Sequence, residues 1–182
     1  MKQRIDSQLF RGVVNKDLNV NFMYTFTDEG NFQTIVEREG AVKIQQSFLL
    51  GISEGYGRPF ITVQSNVYPS FISLLDKSIK LISENLYDIY PDIGKIEFDI
   101  DSKTMEIYQT EKAIQTAGMI MVPDVWIDMS QQCFPAIKMT STKYPMGVKI
   151  PLEDAVAMSK MLSCFDPNVY GLTLLRILGK IE

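Results

Sequence analysis

The stretch Arg58–Leu75, RPFITVQSNVYPSFISLL, decides how the chain is read. It holds a strand, Phe60–Ser65, then the turn chemistry of Tyr68-Pro69, and then the approach to a helix. Beyond the proline, Leu74, Leu75, Ser78, Ile79, Ile82 and Leu86 recur at steps of three and four, the spacing of one helix face. Tyr90-Pro91 lies just past that run, where proline commonly follows a helix end.

Upstream the chain reads as strands. Val20, Phe22, Tyr24 and Phe26 alternate with Asn19, Asn21, Met23 and Thr25, the period of a strand with one buried face. Asp28 and Gly30 supply a turn, residues 32–38 read as the returning strand, and Glu39-Gly40 turns the chain again. In residues 41–52, Val42, Ile44, Gln46 and Phe48 fall on one face. Successive strands with short loops make an antiparallel meander.

About 76 residues after the first stretch comes a second, CFPAIKMTSTKYPMGVKIPLEDA, Cys133–Ala155. Aligning Pro59 with Pro135 pairs Ile61 with Ile137, Ser65 with Ser141, Tyr68 with Tyr144 and Pro69 with Pro145, five identities in eleven positions. Ahead of it, Ile96, Phe98 and Ile100 alternate with acidic residues up to a tip at Ser102-Lys103, and Met105 and Ile107 return, a hairpin pattern. Residues 118–130 read as a strand that Pro123 confines to an edge or a bulge. After Pro151, Leu152, Val156, Ser159, Met161 and Leu162 form a helical face. The tail, residues 166–182, fits a short strand or a helix. Each half thus reads strand, strand, strand, strand, helix: one α+β, antiparallel β-rich domain, 1–182, of two ββββα repeats at about 10–90 and 94–165. The alternative is two unrelated strand-to-helix connections that each use Tyr-Pro.

Composition bounds the chemistry. With 46% apolar and 22% charged residues, the 182-residue chain has the balance of a globular domain. No apolar run reaches the roughly 20 residues that span a bilayer, and the charged N-terminus does not read as a secretory signal. The expectation is therefore a cytoplasmic protein without membrane partners, with Cys133 and Cys164 as reduced thiols. There is no histidine, which removes Ser-His and Cys-His nucleophile pairs and histidine-ligated zinc. No cofactor or metal ligand set is expected. A net charge of −4 argues against coating duplex DNA, but leaves room for a local positive groove.

The paired strand-Tyr-Pro-strand-helix segments, Phe60–Leu86 and Phe134–Phe165, the repeat length and the element order together resemble the Whirly class of single-stranded-nucleic-acid-binding proteins. The unit is also similar to that of the transcriptional positive-cofactor family and its phage relatives. The Lys-Gly-Lys-Ala-Ala-Leu run of plant Whirly proteins is not present here. The resemblance implies a non-catalytic protein of replication, recombination or transcription that binds single-stranded nucleic acid, with DNA as the expected form. It also implies a homo-oligomer, since strand edges in such units are covered by neighbours. Single strands are held by cationic grooves and by aromatic faces that stack on bases. The residues suited to that task are Lys43, Arg58, Phe60, Tyr68, Lys138, Lys143, Tyr144 and Lys149, with Tyr24, Tyr56, Trp126 and Phe134 as further rings.

Two other classes stay open. One is a viral or phage structural or assembly component, for which strands, acidity and the lack of a catalytic signature are suited; its setting would be the host cytoplasm. The other is a Mg²⁺-dependent nuclease, since Pro91-Asp92 and Asp101-Ser102-Lys103 resemble a Pro-Asp…Asp-x-Lys pattern. A hairpin tip is a poor seat for that second carboxylate.

Overall fold

The computed structural model describes residues 2–27, 48–55, 61–90 and 118–179. Strands β1 (Lys2–Arg11), β2 (Leu18–Thr27), β3 (Phe48–Glu54) and β4 (Ile61–Gln64) form an antiparallel meander in chain order. A 3₁₀ turn, Ser65–Val67, leads into helix α1 (Tyr68–Glu84) and the short helix α2 (Leu86–Ile89). A second antiparallel sheet holds β5 (Met119–Ile127), β6 (Cys133–Ser141) and β7 (Val148–Pro151). Helices α3 (Leu152–Cys164) and α4 (Pro167–Ile177) follow. The protein is thus α+β with antiparallel sheets.

The register shows why these strands bury the faces they do. Opposite one another stand Phe22 and Leu50, Val20 and Ile52, and then Leu50 and Val63, all buried. On the second sheet, Met121 faces Met139, and Met139 faces Val148, again all buried. Helix α1 lays Phe71, Leu74, Leu75, Ser78 and Ile82 into the core, with Ser78 Oγ against Met121 Sδ at 3.7 Å. Phe22 is ringed by Tyr24, Phe48, Phe165 and Tyr170, with centroids 5.3–6.0 Å away. Burying each such side chain contributes about 1.5–3 kcal/mol.

Several expectations are refined. The meander's first strand is β1, which the sequence reading left unassigned; residues 32–38, read as a strand, lie outside the described residues. The hairpin at 96–107 also lies outside them, so the described part of the second half is βββα. The two Tyr-Pro pairs occupy different places. Tyr68-Pro69 opens α1, whereas Tyr144-Pro145 lies in the β6–β7 turn, so β6 is not the last strand before its helix. The five shared identities therefore do not mark one structural position used twice. The tail is helical: Asp166 caps α4, its carboxylate accepting from the Asn168 and Val169 amides. Pro123 sits on β5, which among the described residues pairs only with β6, an edge place that needs no donated hydrogen bond.

One carboxylate fastens the two halves. Asp154, 1% exposed in the first turn of α3, accepts hydrogen bonds from the backbone of the β1–β2 loop. Val13 N and Val14 N donate to Oδ1 at 2.7 and 3.1 Å, and Asn15 N donates to Oδ2 at 2.8 Å. Gly12 lets the loop close this tightly, because a Cβ there would run into Asn15 O and Asp154 Oδ2. The helical face expected from Val156 and Met161 is accordingly rotated toward Asp154, Ala155 and Met158.

Asp154→Ala strands several loop donors and is expected to cost about 3 kcal/mol, with Gly12→Ala destabilising in the same direction. The urea midpoints of both variants measure this; an unchanged midpoint for Asp154→Ala would mean the loop is held elsewhere. Alkali gives a second test. Burial raises the Tyr68 phenol to about 12, helped by the nearby Asp166 carboxylate, and burial also raises Tyr90. Both phenols ionise more readily in the unfolded chain, so stability is full below pH about 10 and falls as pH rises through the folded values. Tyr68→Phe is expected to flatten that alkaline loss in denaturant melts taken either side of pH about 10.

Candidate functional site: a lysine-lined cleft beside the second sheet

The three-stranded sheet gives its two faces different chemistry. Met119, Met121, Ile137, Met139, Val148 and Ile150 point into the core. The alternate residues share the opposite face. There Trp126 stands across from Phe134, and Lys138 stands between Val122 and Lys149. The Trp126 and Phe134 rings lie 5.7 Å apart at 49°, and both are half-buried. Rings and lysines therefore occupy one surface.

Two like charges opposed across a strand pair repel, which ordinarily disfavours such a pairing. Here Lys149 Nζ donates to Asp124 Oδ1 at 3.0 Å and to Val125 O at 3.2 Å, which offsets the repulsion. The Lys149 side chain keeps 41% exposure even so. Among the described residues, Lys138 and Lys143 have no acidic partner.

Past β6 the chain turns through 142–147. Ser141 N and Tyr144 O bond at 3.3 Å, Tyr144 N returns to Ser141 O at 3.0 Å, and Gly147 N reaches Tyr144 O at 3.1 Å. Gly147 has φ +68°, and a Cβ there would strike Met139 O and Thr140 Cγ2. This turn overhangs the ends of β3 and β4. Between them lies a cleft of about 490 Å³ whose walls include Lys143, Tyr144, Met146 and Lys149 on one side and Glu54 and Ile61 on the other. That volume falls within the range of small-ligand sites.

Glu54 is held in place. Its Oε1 accepts from the Asn15 side-chain amide at 2.9 Å and from the Trp126 indole at 3.3 Å. Asn15 is itself 2% exposed and belongs to the loop that grips Asp154. A hydrogen-bonded chain thus runs from α3 through the β1–β2 loop and β3 to the Trp126 indole on β5.

Of the residues singled out from sequence, Lys143, Tyr144 and Lys149 line this cleft, and Lys138 is the cross-strand neighbour of Lys149. Tyr68 is elsewhere: it is buried in the aromatic core against Phe48, its hydroxyl donating to Leu162 O at 2.7 Å, and it presents no open ring. Tyr24 is likewise core. Lys43, Tyr56, Arg58 and Phe60 lie outside the described residues, as do Asp92, Asp101 and Lys103 of the nuclease pattern. Glu54 and Asp124 were missed. Their only signal was a lone carboxylate ending one strand and interrupting the apolar run of another. Among the described residues, no group of three or more carboxylates and thiols is placed to hold a metal ion, and no helix is long and apolar enough to cross a membrane.

Compared with family models, curated proteins and solved structures, the chain returns no match.

Trp126 is the single tryptophan, so its emission reports this site alone. Glu54→Ala removes the indole's acceptor and takes from the buried Asn15 Nδ2 the carboxylate it donates to. It is expected to shift the emission and to cost about 1–3 kcal/mol in urea. Unaltered emission would show that the Trp126–Glu54 contact does not form in solution.

Proposed function

We propose that this protein binds single-stranded nucleic acid, with DNA the expected form, on the outer face of its second sheet and along the adjoining cleft, without catalysing a reaction. One observation carries this reading: Lys138 and Lys149 share the outer face of the second sheet with the Trp126–Phe134 ring pair, and Lys143 lines the adjoining cleft with Lys149. Cations follow the phosphate backbone, and base–ring stacking adds about 1–3 kcal/mol per base. Lys138 is the cross-strand neighbour of Lys149, and Lys149 shares the cleft with Lys143, whereas the chain's overall −4 charge disfavours indiscriminate duplex coating. Asp124 and Glu54 temper the positive potential, so the affinity should come from rings and lysines together. The core position of Tyr68 removes it from the binding set.

Fluorescent oligonucleotides titrated at several salt concentrations test this. Single strands are expected to bind more tightly than duplexes of the same sequence, with affinity falling steeply as salt rises. Lys138→Glu with Lys143→Glu should weaken binding by about tenfold or more and leave the urea midpoint nearly unchanged. Equal affinity of the double variant and the parent protein would remove this surface from consideration.

A further inference from the structure

Glu54 is an odd wall for a site that is to hold an anionic strand. A carboxylate beside Lys143 and Lys149 repels phosphate, so its presence in the cleft calls for a reason. Its Oε1 already takes two donors, from Asn15 and Trp126. Among the described residues its Oε2 accepts no hydrogen bond. Among the described residues the carboxylate is thus held through Oε1 alone, on a side chain that lines the cleft.

The rest of the lining suits a base rather than a phosphate. Ile61, Pro145, Met146 and Val148 supply apolar walls, and Tyr144 adds a ring. About 490 Å³ accommodates a single nucleotide unit. Lys143 stands at the exposed turn, where a phosphate flanking an inserted base could meet it.

Resting on the strand-binding reading above, we infer that the cleft is a base pocket and that Glu54 is its specificity-determining residue, favouring a base whose edge carries an amino group. Carboxylates accept from the cytosine 4-amino group in the same manner in other nucleic-acid contacts. Because Oε1 is taken, Glu54 offers one acceptor oxygen and not a fork. Cytosine matches a single acceptor with its amine. Uracil and thymine present one ring N–H between two carbonyl oxygens, which a carboxylate repels. Guanine's adjacent pair of donors is matched in full only by both oxygens, so a single acceptor leaves one of them unmet.

The cleanest comparison is between deoxycytidine and deoxyuridine oligomers of equal length, which differ only along that edge. Binding is followed by Trp126 emission. The protein is expected to bind the cytosine strand about tenfold more tightly, the effect of one hydrogen bond to a charged group. Glu54→Gln keeps a carbonyl oxygen for Asn15 and Trp126 but sets an N–H₂ donor at the cleft. It is expected to lower cytosine affinity and raise that for uracil, whose 4-oxo group accepts. A urea midpoint confirms that the variant is folded; should it not fold, the ratio measured on the parent protein decides alone. Equal affinity for the two strands in the parent protein, or a preference untouched in folded Glu54→Gln, overturns the inference and leaves strand binding standing. Failure to bind either strand overturns both.

Discussion

A buried carboxylate that accepts three backbone hydrogens holds this fold in its arrangement. Asp154 belongs to the helix that follows the second sheet, yet its partners belong to the loop joining the first two strands of the first sheet. Removing a carboxylate from water is costly, and it is tolerated because the loop amides replace the lost solvent at 2.7–3.1 Å. Apolar burial drives the two sheets and helices together, but it is non-directional. The Asp154 contact is directional, and it fixes which part of the first sheet meets the start of α3.

From that anchor the polar chain continues to the surface. Asn15, set by the gripped loop, orients Glu54, and Glu54 receives the Trp126 indole. Each link has few alternatives, since a buried amide or indole left without a partner costs free energy comparable to a lost hydrogen bond. The ring pair and the lysines on β6 and β7 are thereby tied to the same frame as the core. Strand alternation then decides what faces outward: a shift of one residue in β6 would exchange Lys138 for a buried Ile137 or Met139.

The sequence displays part of this and hides part, for physical reasons. Period-2 alternation exposed β2, and 3.6-residue spacing exposed α1, because each buries one apolar face. β1 was illegible, since KQRIDSQLFR interleaves charges with only partly buried apolar residues and has a register shift between Gln8 and Phe10. The Tyr-Pro likeness misled, because proline serves equally well in a helix's first turn and in a loop between strands. At the site, lysines and aromatics on β6 and the following turn were readable as strand-face residues. Tyr68 was not separable from Tyr144 by pattern, since both precede proline, and only packing sends one ring into the core. Asp154 and Glu54 were invisible, because a lone carboxylate in sequence looks solvated whether or not the fold supplies it with donors.

The most direct measurement is the indole N–H signal of Trp126 in a nuclear magnetic resonance titration with a single-stranded oligonucleotide. One tryptophan gives one such signal, and it sits between the internal hydrogen-bond chain and the lysine-bearing face. The expected result is a progressive shift of that signal together with the backbone amides of residues 134–149. Movement confined to the outer face of the first sheet or to α4, with the indole signal unmoved at saturation, would contradict it.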